Sequence, residues 1–167
     1  MAKFDVTLPI KKTVVKFLTI IASLIFMLTL TLNTAEAQSA KKISTKEVAL
    51  IAHLVKEANQ PGSHSKGDVY LLVKIGKTEY IAELNSGKVV SQRKAEFAGG
   101  GICGDYAEVS INLLDKNKKE TAQGAGQVLK LSGGKWKMIA RSEGDYACDK
   151  LKRISKSVMK CLKVECF

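Results

Sequence analysis

Four cysteines constrain the fold of this chain more than any other feature of its sequence. They are Cys103, Cys148, Cys161 and Cys166, and all of them lie in the C-terminal half of the chain. Their spacing fits no zinc-binding pattern. An even number of cysteines in an exported chain indicates disulfide bonds, which can hold a small domain together. Whether the chain is exported therefore decides how these residues are interpreted.

The first 37 residues have the pattern of a signal peptide. The positive residues of this leader are Lys3, Lys11, Lys12 and Lys16. An uncharged, mostly apolar run follows from Phe17 to Leu32, and Ala35-Glu36-Ala37 places small residues where signal peptidases cleave. The alternative is an uncleaved membrane anchor, because residues 17–35 approach the ~20 residues that span a bilayer. We predict cleavage, a mature N-terminus at Gln38 and a secreted or periplasmic protein.

The predicted mature chain, residues 38–167, is a single domain with a strongly basic composition. The leader carries four lysines against Asp5 and Glu36, so it accounts for +2 of the formal charge of +11 and leaves +9. Such a charge favours anionic partners. Export removes the protein from most nucleic acid, and aromatic residues that could stack on bases are few. We therefore expect an anionic envelope polymer or an acidic protein, with membrane contact only through an uncleaved leader.

The mature chain opens with a well-marked helix. Ser44-Thr45-Lys46-Glu47 is a capping box, in which the serine side chain and the glutamate side chain satisfy early backbone N–H groups. The apolar residues that follow at helical spacing are Val48, Ile51, Val55 and Ala58, with Leu50 and Leu54 widening the stripe. Pro61-Gly62 cannot continue a helix, so this one should end near Asn59.

Strand patterns dominate the middle of the chain. Val69–Ile75 and Thr78–Leu84 predict a hairpin, and Gly76-Lys77 between them suits a type II′ turn. Further strands are predicted over 88–98, 106–114, 120–131 and 135–141, with residues 99–101 as a loop or bulge. We expect Trp136 to be buried, with Met138 and Ala140 on its face of the strand.

A second, shorter helix is predicted to begin at about Ser155. Ile154, Val158, Cys161 and Leu162 would be its inward-facing residues. The order of elements predicts an α+β domain: an N-terminal helix packed on an antiparallel meander sheet, with the helices segregated on one face and a short C-terminal helix held by a disulfide. This order resembles the cystatin-like and nuclear-transport-factor-like architectures.

The C-terminal stretch has a resemblance of its own. Gly134–Ile139, Tyr146-x-Cys148, Val158–Leu162 and Cys166 are similar to small exported bacterial proteins of unknown function. In those proteins a Gly-x-Trp strand leads to a cysteine, a short helix often opened by proline, and a last cysteine near the chain end. Here Lys156 stands where that proline is expected. The resemblance implies a bond between Cys148 and Cys166 and brings no known activity.

The predicted meander limits the cysteine pairings. If 106–114, 120–131 and 135–141 run up, down and up, Cys103 lies at the bottom of the first strand and Cys148 beyond the top of the third. Nine residues of strand separate these ends by about 30 Å, whereas a disulfide requires Cα atoms within about 7 Å. A bond between Cys148 and Cys166 instead closes a loop around the last helix, and Cys161 can then reach Cys103. We predict these two pairs.

Lysines form two groups that could bind an anionic partner. Lys152, Lys156, Lys160 and Lys163 recur at three- and four-residue spacing, which predicts a cationic stripe on the last helix. Lys116, Lys118 and Lys119 crowd one turn. The alternative is a solvated surface that keeps the protein soluble.

Residues that could support catalysis are few. His53 and Glu57 are one helical turn apart and are interpreted as a structural surface pair, and His64 lies beside serines without a nucleophile elbow. The loop Gly99–Gly104 lacks the Lys-Ser/Thr and the helix of a phosphate-binding loop. We therefore expect no catalytic, metal or cofactor site and no enzyme activity.

The sequence thus predicts an exported, non-catalytic binding or envelope-associated protein. The alternative is an inhibitor of an extracellular or periplasmic hydrolase, either a protease or a wall-degrading enzyme. Cystatin-type inhibitors use a Gln-x-Val-x-Gly hairpin and a Pro-Trp hairpin as a wedge. Gln127-Val128 and Trp136 are the nearest equivalents, but the first lacks the intervening residue and the final glycine, and the second lacks its proline.

Overall fold

The computed structural model describes residues 42–96 and 99–166. The predicted signal peptide, its cleavage site after Ala37 and the alternative anchor at 17–35 lie outside these residues. Within the described ranges, no helix has the length and apolar character needed to cross a membrane.

The described residues form an α+β domain built on one antiparallel sheet, as the element order predicts. The helices are α1 (Thr45–Ala58), α2 (Cys148–Leu151) and α3 (Lys156–Leu162). The strands are β1 (Tyr70–Ile75), β2 (Thr78–Glu83), β3 (Val89–Lys94), β4 (Ile102–Cys103), β5 (Tyr106–Leu114), β6 (Ala125–Ser132) and β7 (Lys135–Ser142). Their order in the sheet is β3-β2-β1-β5-β6-β7, and β4 pairs with β5. All of these pairs are antiparallel, so consecutive strands can be joined by short turns.

Helix α1 has the ends that its sequence predicts. The Ser44 side chain accepts a hydrogen bond from the Glu47 N–H, and the Glu47 carboxylate accepts one from the Ser44 N–H, which completes the capping box. Asn59 is the C-terminal cap, and its side chain donates to the Leu84 carbonyl across the helix–sheet contact. The prediction for Val48 was wrong. Its residue surface is 50% exposed, because the buried stripe runs through Leu50, Ile51, Leu54 and Val55.

Two strand predictions need correction. The strand predicted over residues 120–131 begins only at Ala125, and Glu120 makes an isolated bridge to Leu114. The two-residue strand β4, where a loop or bulge was expected, pairs with the start of β5. The β1–β2 hairpin is confirmed, with Gly76 at the positive φ of +60° that the first position of a type II′ turn requires.

The helices cover both faces of the sheet, which corrects the expectation that they share one face. Alternate residues of β5 show this directly: Ala107 and Val109 pack in the cluster that contains α1, whereas Tyr106 packs in the cluster that contains α2 and α3. Successive side chains of a strand point to opposite faces. The sheet is therefore the middle layer, with α1 on one side and the C-terminal helices on the other.

A β-bulge in β7 reverses the alternation of side chains after Met138. Val128 pairs with Ala140 and Leu129 with Met138, so one extra residue is accommodated in β7. Trp136 is buried as predicted and packs in the α1 cluster. Ala140 instead packs in the cluster on the opposite face, and Met138 is 46% exposed. The expected shared face is therefore wrong for Ala140, whereas Met138 pairs with Leu129 on the face of Trp136 but is not buried there.

Two disulfides join Cys103 to Cys161 and Cys148 to Cys166, with Cα–Cα distances of 6.2 and 4.9 Å. These are the two pairs that the strand geometry favours. The first bond ties α3 to the start of β5 through β4. Cys161 itself is exposed rather than inward-facing, so the bond lies at the edge of the helix–sheet contact.

Candidate functional site

The segment from Cys148 to Cys166, here called the C-terminal unit, is a compact structure anchored on the sheet. Its buried residues are Leu151, Ile154, Leu162 and Val164, which pack with Val128, Ala140 and Tyr146. Ser155 caps α3 by accepting a hydrogen bond from the Val158 N–H. Lys163 ends α3 in the left-handed conformation with φ +56°. Apolar packing and the two disulfides together fix the position of this unit.

The four lysines predicted to form one helical stripe are divided between two short helices. Lys152 is the C-terminal cap of α2, and only Lys156 and Lys160 lie within α3, on the same face because they are four residues apart. Lys163 is the C-terminal cap of α3. All four are exposed, and no carboxylate in the described residues lies within ion-pair distance of them.

Two further basic residues of the C-terminal unit were not among those predicted to bind an anionic partner. Lys150 and Arg153 are also exposed. Spacing could have identified them, because Lys150, Arg153 and Lys156 follow one another at intervals of three residues. The unit thus carries six basic residues against two acidic ones, Asp149 and Glu165.

The second lysine group lies at the far end of β5 and does not join the first. The Asp115 side chain accepts hydrogen bonds from the N–H groups of Asn117 and Lys119, which orders the turn. Lys118 has φ +60°, and its ammonium group lies 6.0 Å from the centroid of the Tyr70 ring. β5 has nine residues and is about 30 Å long. Since α3 is bonded to Cys103 just before β5, the structure separates Lys116, Lys118 and Lys119 from the C-terminal unit.

A half-buried carboxylate, Glu108, lies beneath the C-terminal unit. Glu108 accepts hydrogen bonds from the Gly100 N–H at 2.8 Å and from the Tyr146 hydroxyl at 3.3 Å. Burial raises the pKa of Glu108, and these two hydrogen bonds offset only part of the effect. Burial and the neighbouring Glu108 in turn raise the pKa of Tyr146. Because Tyr146 also bridges to Cys166 in the sheet pattern, this contact connects β5 with the C-terminal unit.

The residues considered for catalysis have structural partners. His53 Nε2 lies 3.3 Å from Glu57 Oε1, and His64 Nδ1 lies 2.8 Å from the Ala58 carbonyl oxygen at the end of α1. In the glycine loop, the Gly100 N–H is directed to Glu108 and the Gly101 carbonyl accepts from the Glu108 N–H. In the part of the chain that the structure describes, no three His, Cys, Asp or Glu residues are grouped to hold a metal ion.

The residues that correspond to an inhibitor wedge are buried in the sheet. Gln127 and Val128 lie within β6, and Trp136 lies within β7 rather than at a hairpin tip. All three are buried, so none is available to enter the active site of a protease. No protein family, curated protein or solved structure matches this chain, and the C-terminal unit has to be interpreted from its own geometry.

Proposed function

We propose that this is an exported, non-catalytic binding protein that holds an anionic envelope polymer on its C-terminal unit. The observation that carries the proposal is the set of six exposed basic side chains on the segment from Cys148 to Cys166, which two disulfides hold in place. Charges that lack nearby carboxylates remain available to an external anion. The leader pattern and the oxidised cysteines support an extracytoplasmic location.

The type of basic residue favours a polymer over a small, shaped anion. Five of the six are lysines, whose ammonium groups are flexible point charges, whereas arginine is preferred for bidentate recognition of carboxylate or phosphate. Because the disulfides already hold the backbone in place, binding a partner orders only the side chains, which keeps the entropic cost of binding low. A repeating polyanion can satisfy such a surface in several registers, with an affinity that falls as salt is added.

The test compares two variants with the same loss of charge. One variant replaces Lys152, Lys156, Lys160 and Lys163 with Gln. The control replaces Lys66, Lys77, Lys88 and Lys94, which are exposed and have no carboxylate partner in the described residues. Cosedimentation with a phosphate-containing cell-wall polymer is measured at about 50 and 200 mM salt. These salt levels correspond to weaker and stronger screening of exposed charges.

We expect the C-terminal variant to bind at least about tenfold more weakly than the control, since four ionic contacts at about 0.4 kcal/mol each sum to about 1.6 kcal/mol, more than the ~1.4 kcal/mol of a tenfold change. A third variant, Lys116→Gln/Lys118→Gln/Lys119→Gln, should behave like the control because that turn is remote from the unit. Equal losses in the first two variants would show that only net charge matters and that the lysines form a solvated surface.

A further inference from the structure

A cavity lies on the face of the sheet opposite the C-terminal unit. Its volume is about 240 Å³, and it opens between the C-terminal half of α1 and strands β1, β5, β6 and β7. The apolar side chains that line it are Leu54, Ala58, Leu71, Ile111, Leu113 and Ala125. An engineered apolar cavity of ~150 Å³ is large enough to bind benzene. The cavity can therefore hold the body of a small organic molecule.

The wall of this cavity contains a buried amide. Gln127 projects from the middle of β6 and is only 2% exposed. Its Oε1 atom has no hydrogen-bond partner among the described residues. Buried polar groups are nearly always paired, and an unpaired one destabilises the fold. Side chains alternate along β6, and Leu129 packs in the cluster that contains α1, so Gln127 also faces α1. An apolar side chain at this position would avoid the cost of an unpaired polar group.

Glu57 supplies a second unpaired oxygen at the same cavity. Its Oε2 atom is buried without a hydrogen-bond partner, while Oε1 is the atom that lies 3.3 Å from His53 Nε2. The other charged residues of the lining are Arg141 and Glu143, which are both exposed and opposite in sign. The buried polar atoms of this cavity are therefore acceptors, one of them on a carboxylate.

We propose that the cavity binds a small organic ammonium ion: an apolar body fills the space beside Leu71 and Ile111, and the protonated amine donates to Gln127 Oε1 and Glu57 Oε2. An ammonium group has donors and no acceptor, which matches two unpaired oxygens. Its positive charge also complements Glu57, and hydrogen bonds to charged groups are stronger than neutral ones. This site is independent of the lysine surface, because it lies on the other face of the sheet and selects the opposite charge.

The experiment uses three probes of similar shape: benzylamine, benzyl alcohol and benzoate. Dissociation constants are measured at pH 7 by two-dimensional amide NMR, which also locates the perturbed residues. Benzylamine should perturb the amides around Gln127 and Glu57 and bind at least about tenfold more tightly than either other probe. Equal binding by benzyl alcohol or benzoate, or no binding by benzylamine, would overturn the proposal.

Two variants test the residues. Glu57→Gln removes the charge but keeps an acceptor, and Gln127→Leu removes the amide at nearly constant size. Each should weaken benzylamine binding by at least about tenfold, the loss expected for a charged hydrogen bond. Glu165→Gln removes the same charge from the opposite face and should leave the dissociation constant unchanged. If Gln127→Leu does not fold, Glu57→Gln alone decides the outcome, and unchanged affinity in it would refute the assignment.

Discussion

Trp136 and Met138 lie two residues apart on β7 and have opposite environments. Trp136 is 3% exposed and packs beneath α1, whereas Met138 is 46% exposed. Truncating a buried tryptophan leaves a cavity in a core that repacks only in part, so Trp136→Ala should lower the free energy of unfolding by about 3–5 kcal/mol. Urea unfolding measures the change.

Met138→Ala is the matched control on the same strand. Because its side chain is largely in water, the substitution should cost less than about 1 kcal/mol. Similar losses for the two variants would contradict the difference in burial between Trp136 and Met138.

The two disulfides stabilise elements of different size. Cys103–Cys161 closes a loop with a sequence separation of 58 residues and holds α3 to β4, whereas Cys148–Cys166 closes one of 18 residues around the C-terminal unit. On the chain-entropy description, the longer loop contributes about 4 kcal/mol and the shorter one about 3 kcal/mol. Replacing Cys103 and Cys161 with Ser should therefore destabilise the domain more than replacing Cys148 and Cys166.

Urea unfolding of the two double variants under oxidising conditions checks this order. Peptide mapping of each variant should show the remaining native pair. The opposite order of stabilities would show that strain or residual structure, rather than loop length, determines what each bond contributes.

The stability of the whole domain should depend on pH through two carboxylates with opposite shifts. For Glu79, burial alone would raise the pKa, but the hydrogen bond from Arg93 at 2.6 Å and the contact with Lys74 at 3.2 Å lower it. Glu79 therefore contributes stability at neutral pH that is lost as the pH falls. Glu108 has a raised pKa, so the folded state favours its protonated form. Its contribution is present below the ordinary pKa of 4.5 and is lost as the pH rises through the folded value.

Glu108→Gln isolates this second effect. Gln cannot ionise, but its amide oxygen can accept from the Gly100 N–H while its NH2 group donates to the Tyr146 hydroxyl oxygen. The variant should gain stability relative to the native protein as the pH is raised from about 4 to 7, because the native chain then bears the cost of a buried charge. Unfolding curves across that range measure the difference, and Glu165→Gln, at an exposed position, should show no such trend. A difference that stays constant with pH would contradict the raised pKa.

Much of the fold could be predicted because its signals are local. The capping box at Ser44 and the positive φ at Gly76 depend on residues within a few positions of each other. Strand length excludes a Cys103–Cys148 bond, since a bond of fixed reach cannot join the two ends of β5, and the resemblance of the C-terminal stretch implies the Cys148–Cys166 pair. The basic character of the last twenty or so residues could also be predicted, because it depends only on the composition of that stretch.

The arrangement of the lysines could be predicted only in part. Spacing alone suggested one helical stripe, but the chain interrupts the helix between Leu151 and Lys156. Where the turn lysines lie relative to that unit depends on the direction and length of β5. Periodicity within a segment carries no information about the distance between segments.

The sequence by itself determined the types of the longer elements, their order along the chain and the basic, cysteine-rich C-terminal unit, because these follow from backbone preference, alternation and composition. Only the tertiary structure decided that the helices take opposite faces, that β7 contains a bulge and that Gln127 and Glu57 meet at one cavity. Each of these depends on cross-strand register and on the volume that neighbouring side chains leave unfilled. Those quantities arise when distant segments pack together.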